Sequence, residues 1–274
     1  MFLAAPEMPT SLVLVGAGKM GGAMLEGWVK GGLDPASTII VEPRASPELA
    51  SYCAERGIAL NPERVTPPEV VVLAIKPQGL AEAAPGLDGY LAPETLLVSI
   101  LAGKTVADLR GRLTRAGAIV RAMPNLPASV GFGATGCFAS PETSERQRAA
   151  AQALLASNGA VEWVEDEDLI DAVTAVSGSG PAYVFHLTEC LAAAAAAAGL
   201  PPELGARLAR ATVVGAGELL KRSEAEPVTL RANVTSPGGT TAAALDTLMG
   251  EERLKRLLTE AVLAAKRRAG ELSG

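Results

Sequence analysis

The sequence predicts an α/β fold in which a doubly wound sheet forms the first part of the chain and helices alone form the rest. Three observations support this prediction. Up to Trp163, short apolar runs alternate with helical patterns, as buried parallel strands alternate with crossover helices. A glycine motif directly follows the first apolar run. Beyond Trp163 no segment has a strand pattern, and alanine becomes abundant.

The glycine motif predicts a dinucleotide site. The apolar strand Ser11–Val15 runs into Gly16-Ala-Gly-Lys-Met-Gly21, and a helical pattern, Ala23–Lys30, follows. In this setting the first glycine makes the turn, the second admits a pyrophosphate, and the third lets the helix pack on the strand. We therefore expect a Rossmann-type domain whose cofactor residues include Gly16, Gly18, Lys19, Met20 and Gly21, a structural glycine turn being the alternative.

The second strand, Thr38–Glu42, gives conflicting signals about the cofactor. A carboxylate at this strand end usually binds the adenosine ribose hydroxyls and favours NAD. Arg44 and Ser46 follow at once, and an arginine here can hold the 2′-phosphate of NADP. The sequence slightly favours NADP with NAD tolerated, although Arg44 can also be an ordinary loop charge.

The remaining elements of this domain continue the alternation. Ligands bind outside the carboxyl ends of such strands, so Ala74, Ile75 and Lys76 are expected to line the cofactor cleft. Pro124–Pro127 predicts a stiff turn. The further predicted elements are helix Pro47–Arg56, strand Ile58–Leu60, strand Val70–Ile75, strand Thr95–Leu101, helix Thr105–Arg112, strand Ala118–Met123, strand Gly133–Ala139, helix Ser144–Ser157 and strand Val161–Val164.

From about Asp168 the chain is predicted to be all-helical, which gives a dinucleotide-binding domain, 1–168, and a helical domain, 169–274. Ser177–Pro181 predicts a glycine-broken junction, and Ala192–Ala198 a close-packing helix face. A helical half with few aromatics buries little area alone, so we expect it to dimerise. The predicted helices are Ile170–Val176, Ala182–Ala198, Pro201–Arg222, Thr240–Leu248 and Glu251–Ala269.

A late segment predicts a helix start that binds an anion. Ser236 suits the N-cap and Pro237 the first helical position. Gly238 and Gly239 would then occupy the first turn, where they leave unpaired N–H groups bare for a carboxylate or phosphate. Thr240 and Thr241 add hydroxyls beside that seat, and a plain glycine-rich cap is the alternative.

Composition narrows the class of protein. With 24 basic and 30 acidic residues, the net charge of −6 argues against a nucleic-acid or anionic-membrane partner. Cys53, Cys137 and Cys190 match no metal or disulfide spacing, which predicts a reduced, cytoplasmic protein without a metal site. Met1–Pro6 lacks the basic region of a signal peptide.

Conspicuous acid–base groups are scarce. His186 is the only histidine, it is more typical of a packed or interface residue, and no carboxylate is obviously placed to orient it. No tyrosine has a lysine four residues later, which excludes the short-chain reductase mechanism. A nicotinamide enzyme of this kind suits a substrate that is ready to accept hydride, such as a protonated imine.

Several segments together resemble pyrroline-5-carboxylate reductase: Gly16–Gly21, Ala74–Pro77, Arg121–Asn125, Asp168–Val173, Ser177–Tyr183 and Val234–Thr240. The resemblance runs from about Leu12 to Leu263. It implies reduction of the cyclic imine L-1-pyrroline-5-carboxylate to L-proline with NADPH or NADH. It also implies a helical dimerisation domain, a substrate loop that completes the cleft of the partner subunit, and often rings of dimers.

Carried over by position, the resemblance implies roles for further residues. Gly238, Gly239 and Thr240 would bind the substrate carboxylate, and Thr241 the ring nitrogen. Glu167 matches a substrate-side carboxylate, and Glu224 a carboxylate of unassigned role. The segment Glu42–Arg44 departs from the Ser, Asn or Thr of many relatives. The cofactor positions implied in this way are Asn61, Ala74, Ile75, Lys76, Ala102 and Asn233.

Two other functions stay open. A β-hydroxyacid dehydrogenase shares the glycine opening, but it needs a catalytic lysine where Pro181–Cys190 contains none. A redox sensor that holds NADP without turnover is the second alternative.

Overall fold

The computed structural model describes residues 7–273. The expectation for Met1–Pro6 therefore lies outside the described residues. The chain packs as two compact units. The first comprises the described chain up to Ser179 together with the C-terminal segment from Ala265, and the second is Gly180–Ala264.

The first unit is built on one sheet of eight strands in the order β3-β2-β1-β4-β5-β6-β7-β8. Neighbours are parallel except β6 and β7, which are antiparallel. The first six strands have the order of a dinucleotide-binding sheet, with the crevice at the carboxyl ends of β1 and β4. The strands are β1 Leu12–Val15, β2 Thr38–Val41, β3 Ala59–Leu60, β4 Val70–Leu73, β5 Leu96–Ser99, β6 Ala118–Met123, β7 Gly133–Ala139 and β8 Gly159–Trp163.

Helices cover this sheet, and their starts follow from local side chains. Ser46, Thr105 and Ser144 each accept a backbone N–H in the first turn of the helix that they cap. The wholly buried strands β1 and β4 divide their side chains between two apolar cores. The helices are α1 Lys19–Lys30, α2 Pro47–Arg56, α3 Leu80–Leu87, α4 Val106–Arg112, α5 Glu145–Ala156 and α6 Leu169–Val173.

The second unit is helical throughout. Small residues let its two long helices approach closely, since a β-carbon at Gly205 would lie 3.0 Å from the Ala195 β-carbon. Part of the predicted alanine face thus packs within the chain. The helices are α7 Gly180–Ala197, α8 Pro202–Arg222, α9 Pro227–Asn233, α10 Thr240–Met249 and α11 Arg253–Ser273, whose last turns belong to the first unit.

The predicted fold class is confirmed, but two helices escaped prediction. In α3 the apolar side chains of Leu80, Ala84 and Leu87 are buried at helical spacing, and this burial outweighs Pro85 inside the helix. Helix α9 begins with Pro227 at its first turn, a signal that the sequence did contain.

The predicted glycine-broken junction at Ser177–Pro181 is narrower than the sequence indicated, being a bend at Ser179 before α7 begins at Gly180. Thr174–Gly178 instead form a π-helical turn that leads almost directly from α6 to α7. Helix α6 packs with the first unit, because Val173 lies against Gly136 of β7. The boundary between a dinucleotide-binding domain and a helical domain at Asp168 stays a prediction. In packing, α6 and the π-helical turn belong to the first unit, which extends to Ser179.

Glu69, just before β4, supports a prediction about pH. Partial burial opposes its ionisation, but hydrogen bonds from Thr10 N (2.8 Å) and Oγ1 (2.9 Å), together with Arg146, lower its pKa. A lowered carboxyl pKa stabilises the fold above the unfolded pKa and ceases to do so as pH falls through the folded pKa.

We therefore expect Glu69→Gln to lower the free energy of unfolding by about 1 kcal/mol at pH 7, and the difference to shrink below about pH 4. Urea unfolding across this pH range measures both effects. Glu94→Gln, an exposed change at the same edge of the sheet, is the matched control. A pH-independent difference would contradict the assignment.

Candidate active site

The turn after β1 leaves no room for side chains. Gly16 has a φ of +90° and donates its N–H to Val41 O at 2.9 Å. A β-carbon on Gly16 would lie 2.8 Å from the carbonyl of Ala74, and one on Gly21 would lie 2.3 Å from Gly16 O. The turn and the first turn of α1 are thus pressed against the ends of β1 and β4, as sequence reasoning expected of the first and third glycines.

Gly18 differs from these two glycines. It is the N-cap of α1, no side chain caps that end in the described structure, and a β-carbon there would have no heavy atom within 4 Å. Lys19 is exposed and Met20 half-buried beside it. Bare N–H groups at the positive end of a helix fit the pyrophosphate of a dinucleotide.

The other predicted cofactor positions of the first unit lie at the carboxyl edge of the sheet. Asn61 follows β3 with a φ of 49°, and its amide exchanges two hydrogen bonds with the backbone of Glu42. Ala74 and Ile75 follow β4 and flank the glycine turn, while Lys76 is exposed. Arg44 is exposed in the loop after β2.

Ala102 lies in the turn after β5, and the end of the chain packs on this turn. Gly103 has a φ of +68°, and a β-carbon there would lie 2.8 Å from Leu272 O. The last turn of α11 therefore holds the backbone beside Ala102. This contact joins residues that are far apart in sequence, so sequence patterns gave no sign of it.

Glu167 has two bonding partners within the first unit. Its Oε1 lies 2.6 Å from Arg121 Nη1 and accepts the N–H of Val106, at the start of α4, at 2.7 Å. Arg121 is 5% exposed, and a buried guanidinium needs such a partner. Its role as a substrate-side carboxylate stays a prediction; the observed geometry gives it a structural role.

Asn125 lies in the predicted turn and in the resembling segment Arg121–Asn125, but no role was predicted for its side chain. It is buried, its Oδ1 accepts the N–H of Ala134 at 2.9 Å, and its Nδ2 donates to Ser177 O at 2.9 Å. It therefore ties the end of β6 to the start of β7 and to the π-helical turn. The sequence did indicate that Asn125 follows a strand at the carboxyl edge of the sheet, where functional side chains are expected.

In the second unit, α10 begins at Thr240, as the predicted helix Thr240–Leu248 does, and not at Pro237, as an N-cap at Ser236 implied. Ser236 is not the N-cap: Gly239 is, and Thr240 is the first helical residue. Gly238 has a φ of +68°, which a helix cannot contain, so Ser236–Gly239 form a turn closed by Gly239 N donating to Ser236 O. No described side chain caps α10, and Gly238 and Thr240 are exposed.

The remaining singled-out residues lie elsewhere. Asn233 ends α9 and is exposed, as is Glu224 between α8 and α9. His186 is exposed on α7, and Glu189 Oε2 lies 3.0 Å from its Nδ1, so a carboxylate does contact it. Between residues 7 and 273, no group of three or more His, Cys, Asp or Glu side chains is arranged to hold a metal ion.

Comparison with known proteins decides the family. Residues 167–272 match the family model described as pyrroline-5-carboxylate reductase dimerisation, and residues 11–103 match NADP oxidoreductase, coenzyme F420-dependent. The chain is 38% identical over 265 residues to pyrroline-5-carboxylate reductase from Pseudomonas aeruginosa, which covers 96% of each chain. The chain belongs to the pyrroline-5-carboxylate reductase family.

Further pyrroline-5-carboxylate reductases agree. The one from Synechocystis is 39% identical, covering 97% of this chain and 99% of that one. A solved structure from Coxiella burnetii is 35% identical with a TM-score of 0.90, covering 98% of this chain and all of the other. The Plasmodium falciparum enzyme, solved with NADP bound, is 26% identical with a TM-score of 0.78 over 98% and 100% of the chains.

The open space at Gly18 gives a test of dinucleotide binding. Gly18→Ala is expected to change the free energy of unfolding by less than about 1 kcal/mol, because its β-carbon meets no neighbour. It should weaken coenzyme binding by about tenfold or more, because the methyl group would occupy the space of the pyrophosphate. Isothermal titration with NADPH and NADH measures the affinity.

Gly22→Ala, on the same helix, is the matched control. Its β-carbon would lie 3.4 Å from Ala17 O, and its coenzyme affinity should match the wild type. Wild-type affinity in Gly18→Ala would contradict close approach of a phosphate at this glycine.

Proposed function

We propose that the protein reduces L-1-pyrroline-5-carboxylate to L-proline with NADPH or NADH, the last step of proline biosynthesis. Family membership over nearly the whole chain supports the reaction. The observation that carries the site assignment is the uncapped start of α10, where Gly238 turns the backbone and leaves the first N–H groups of the helix bare.

The start of α10 acts as the seat for the substrate carboxylate. The N–H groups of Thr240 and Thr241, the first two of the helix, lie at the positive end of its dipole, which favours an anion, whereas the Gly239 N–H is already donated to Ser236 O. Gly238 and Gly239 keep the approach open because they carry no side chain. The carboxylate of the substrate is its only anionic group, so this seat fixes one end of the ring.

Thr241 acts at the other polar group of the substrate. It is half-buried in the first turn of α10, and its hydroxyl hydrogen-bonds the ring nitrogen. A bound nicotinamide supplies the hydride, which adds to the imine carbon of the protonated ring and leaves a secondary amine and an oxidised coenzyme. The protein contributes mainly by orientation, which can supply several kcal/mol of a barrier.

The coenzyme is held by the first unit. Gly16, Gly18 and Gly21 shape the turn, and the start of α1 binds the pyrophosphate. Asn61, Arg44, Ala74–Lys76 and Ala102 line the carboxyl edge of the sheet, and Asn233 is assigned to the same group by position. Glu167 is proposed as a substrate-side carboxylate.

The helical unit forms a homodimer, and we extend this to a ring of dimers. None of the residues of α7 is buried, and three of its large apolar side chains are about half exposed to solvent: Val184 (45%), Phe185 (55%) and Leu187 (54%). Val184 and Phe185, together with Val214 of α8, border a groove of about 590 Å³. An exposed apolar surface of this kind is typical of a protein interface.

We place the protein in the cytoplasm. Cys53 and Cys137 are buried free thiols and Cys190 is an exposed one, as expected where thiols stay reduced. Over the described part of the chain, no helix combines the length and apolarity needed to cross a membrane.

An absorbance assay tests the function. Purified protein is mixed with pyrroline-5-carboxylate and NADPH or NADH, and the loss of reduced coenzyme is followed together with proline formation. Turnover supports the reductase. Coenzyme binding without turnover would instead support a redox sensor, and turnover of a β-hydroxyacid in place of the imine would support the dehydrogenase.

Gly239→Leu tests the carboxylate seat. We expect substrate KM to rise by about a hundredfold, because the side chain fills the seat, while coenzyme affinity stays within about twofold of the wild type. Since a β-carbon here would lie 2.4 Å from Ser236 Oγ, the double variant with Ser236→Ala removes that clash. Equal loss of substrate and coenzyme binding in both variants would refute the seat.

Thr241→Ala tests the contact to the ring nitrogen. Loss of one hydrogen bond to a charged group should lower kcat by about ten- to a hundredfold without changing coenzyme affinity. Thr241→Ser should restore most of the rate, and Thr247→Ala, an exposed change on the same helix, should leave it unaltered. A wild-type rate in Thr241→Ala would remove this residue from the mechanism.

A further inference from the structure

NAD and NADP differ at one position, the adenosine 2′-oxygen, which carries a hydroxyl in the first and a phosphate in the second. A hydroxyl can donate a hydrogen bond to a carboxylate, whereas a phosphate is repelled by one. In dinucleotide-binding sheets this oxygen lies at the end of β2. In this chain Glu42 follows β2 directly, with Arg44 two residues later.

Hydrogen bonds hold the Glu42 carboxylate in one place. Its Oε2 accepts the N–H of Ala17, within the glycine turn, at 3.1 Å, and its Oε1 accepts the N–H of Arg44 at 3.1 Å. Its backbone is fixed by the Asn61 amide through bonds of 2.8 and 2.9 Å. The negative charge therefore lies against the turn that receives the dinucleotide, and moving it away would break both carboxylate bonds.

Arg44 and Ser46, the groups that would favour a phosphate here, are held less firmly than the Glu42 carboxylate or are already engaged. The Arg44 side chain is exposed, and ion pairs in water contribute little. The hydroxyl of Ser46 already accepts the N–H of Leu49 as the cap of α2. Glu48 stands in the first turn of the same helix, where hydrogen bonds from Ser46 and its own N–H lower its pKa. A phosphate would thus meet the fixed carboxylate of Glu42 and one solvated guanidinium.

We propose that Glu42 determines coenzyme preference, by accepting the adenosine ribose hydroxyls, so that this chain binds NADH more tightly than NADPH. Both remain usable coenzymes. The proposal rests on the proposed function, because it concerns the coenzyme of that reaction. The sequence leaves open whether Glu42 or Arg44 sets the coenzyme preference. The proposal gives this role to Glu42, because its charge is fixed in place.

Isothermal titration of the full-length protein with NADH and with NADPH, in the absence of imine, tests the proposal. The wild type should bind NADH at least about tenfold more tightly. Glu42→Gln, which removes the charge and keeps the shape, should bring the two affinities within about threefold or reverse them. Glu94→Gln, an exposed change of the same kind just before β5, should keep the wild-type ratio.

Three results would overturn the proposal. One is a wild type that binds NADPH as tightly as NADH. Another is a ratio that Glu42→Gln leaves unchanged to within threefold. The last is a loss of more than tenfold in wild-type NADPH affinity on Arg44→Ala, which would give the selecting role to the guanidinium. Since binding is read without turnover, a failure of imine reduction leaves these outcomes separately visible.

Discussion

The first unit depends on one close approach, that of the Gly16 turn to the ends of β1 and β4. Gly16 meets the carbonyl of Ala74 and Gly21 meets Gly16 O at distances that admit no β-carbon. This contact sets α1 against the sheet and leaves the backbone at Gly18 open to solvent. The uncapped N–H groups at the start of α1 then lie at the crevice of the sheet, and we propose that they bind the phosphates of the coenzyme.

Buried polar groups fix the rest of the carboxyl edge. Arg121 lies inside the sheet and is neutralised by Glu167, whose carboxylate also holds the start of α4. Asn125 satisfies two backbone groups from different elements. Because an unpaired buried charge or amide is costly, these contacts allow little movement of the loops around a bound coenzyme.

The helical unit buries less apolar surface within the chain than the first unit does. Its long helices approach through small residues such as Gly205 and leave large apolar side chains such as Phe185 exposed. Such a unit gains stability from a partner rather than from its own core. In the same unit the left-handed Gly238 lies in the turn before α10, which begins without a side-chain cap, and this helix start is the proposed anion seat.

The sequence by itself determined the alternation of strands and helices and the all-helical second part, because these rest on local periodicity. It also determined the glycine turn, because glycines at this spacing between a strand and a helix are typical of one backbone geometry. Helix α6 was predicted as Ile170–Val176, but the π-helical geometry of Thr174–Gly178, which Asn125 contacts at Ser177 from across the fold, was not predicted. Only the tertiary structure placed Glu167 on Arg121, Leu272 on Gly103 and Glu42 on Ala17. Each of these contacts joins residues whose separation along the chain carries no pattern, so only the packed sheet could bring them together.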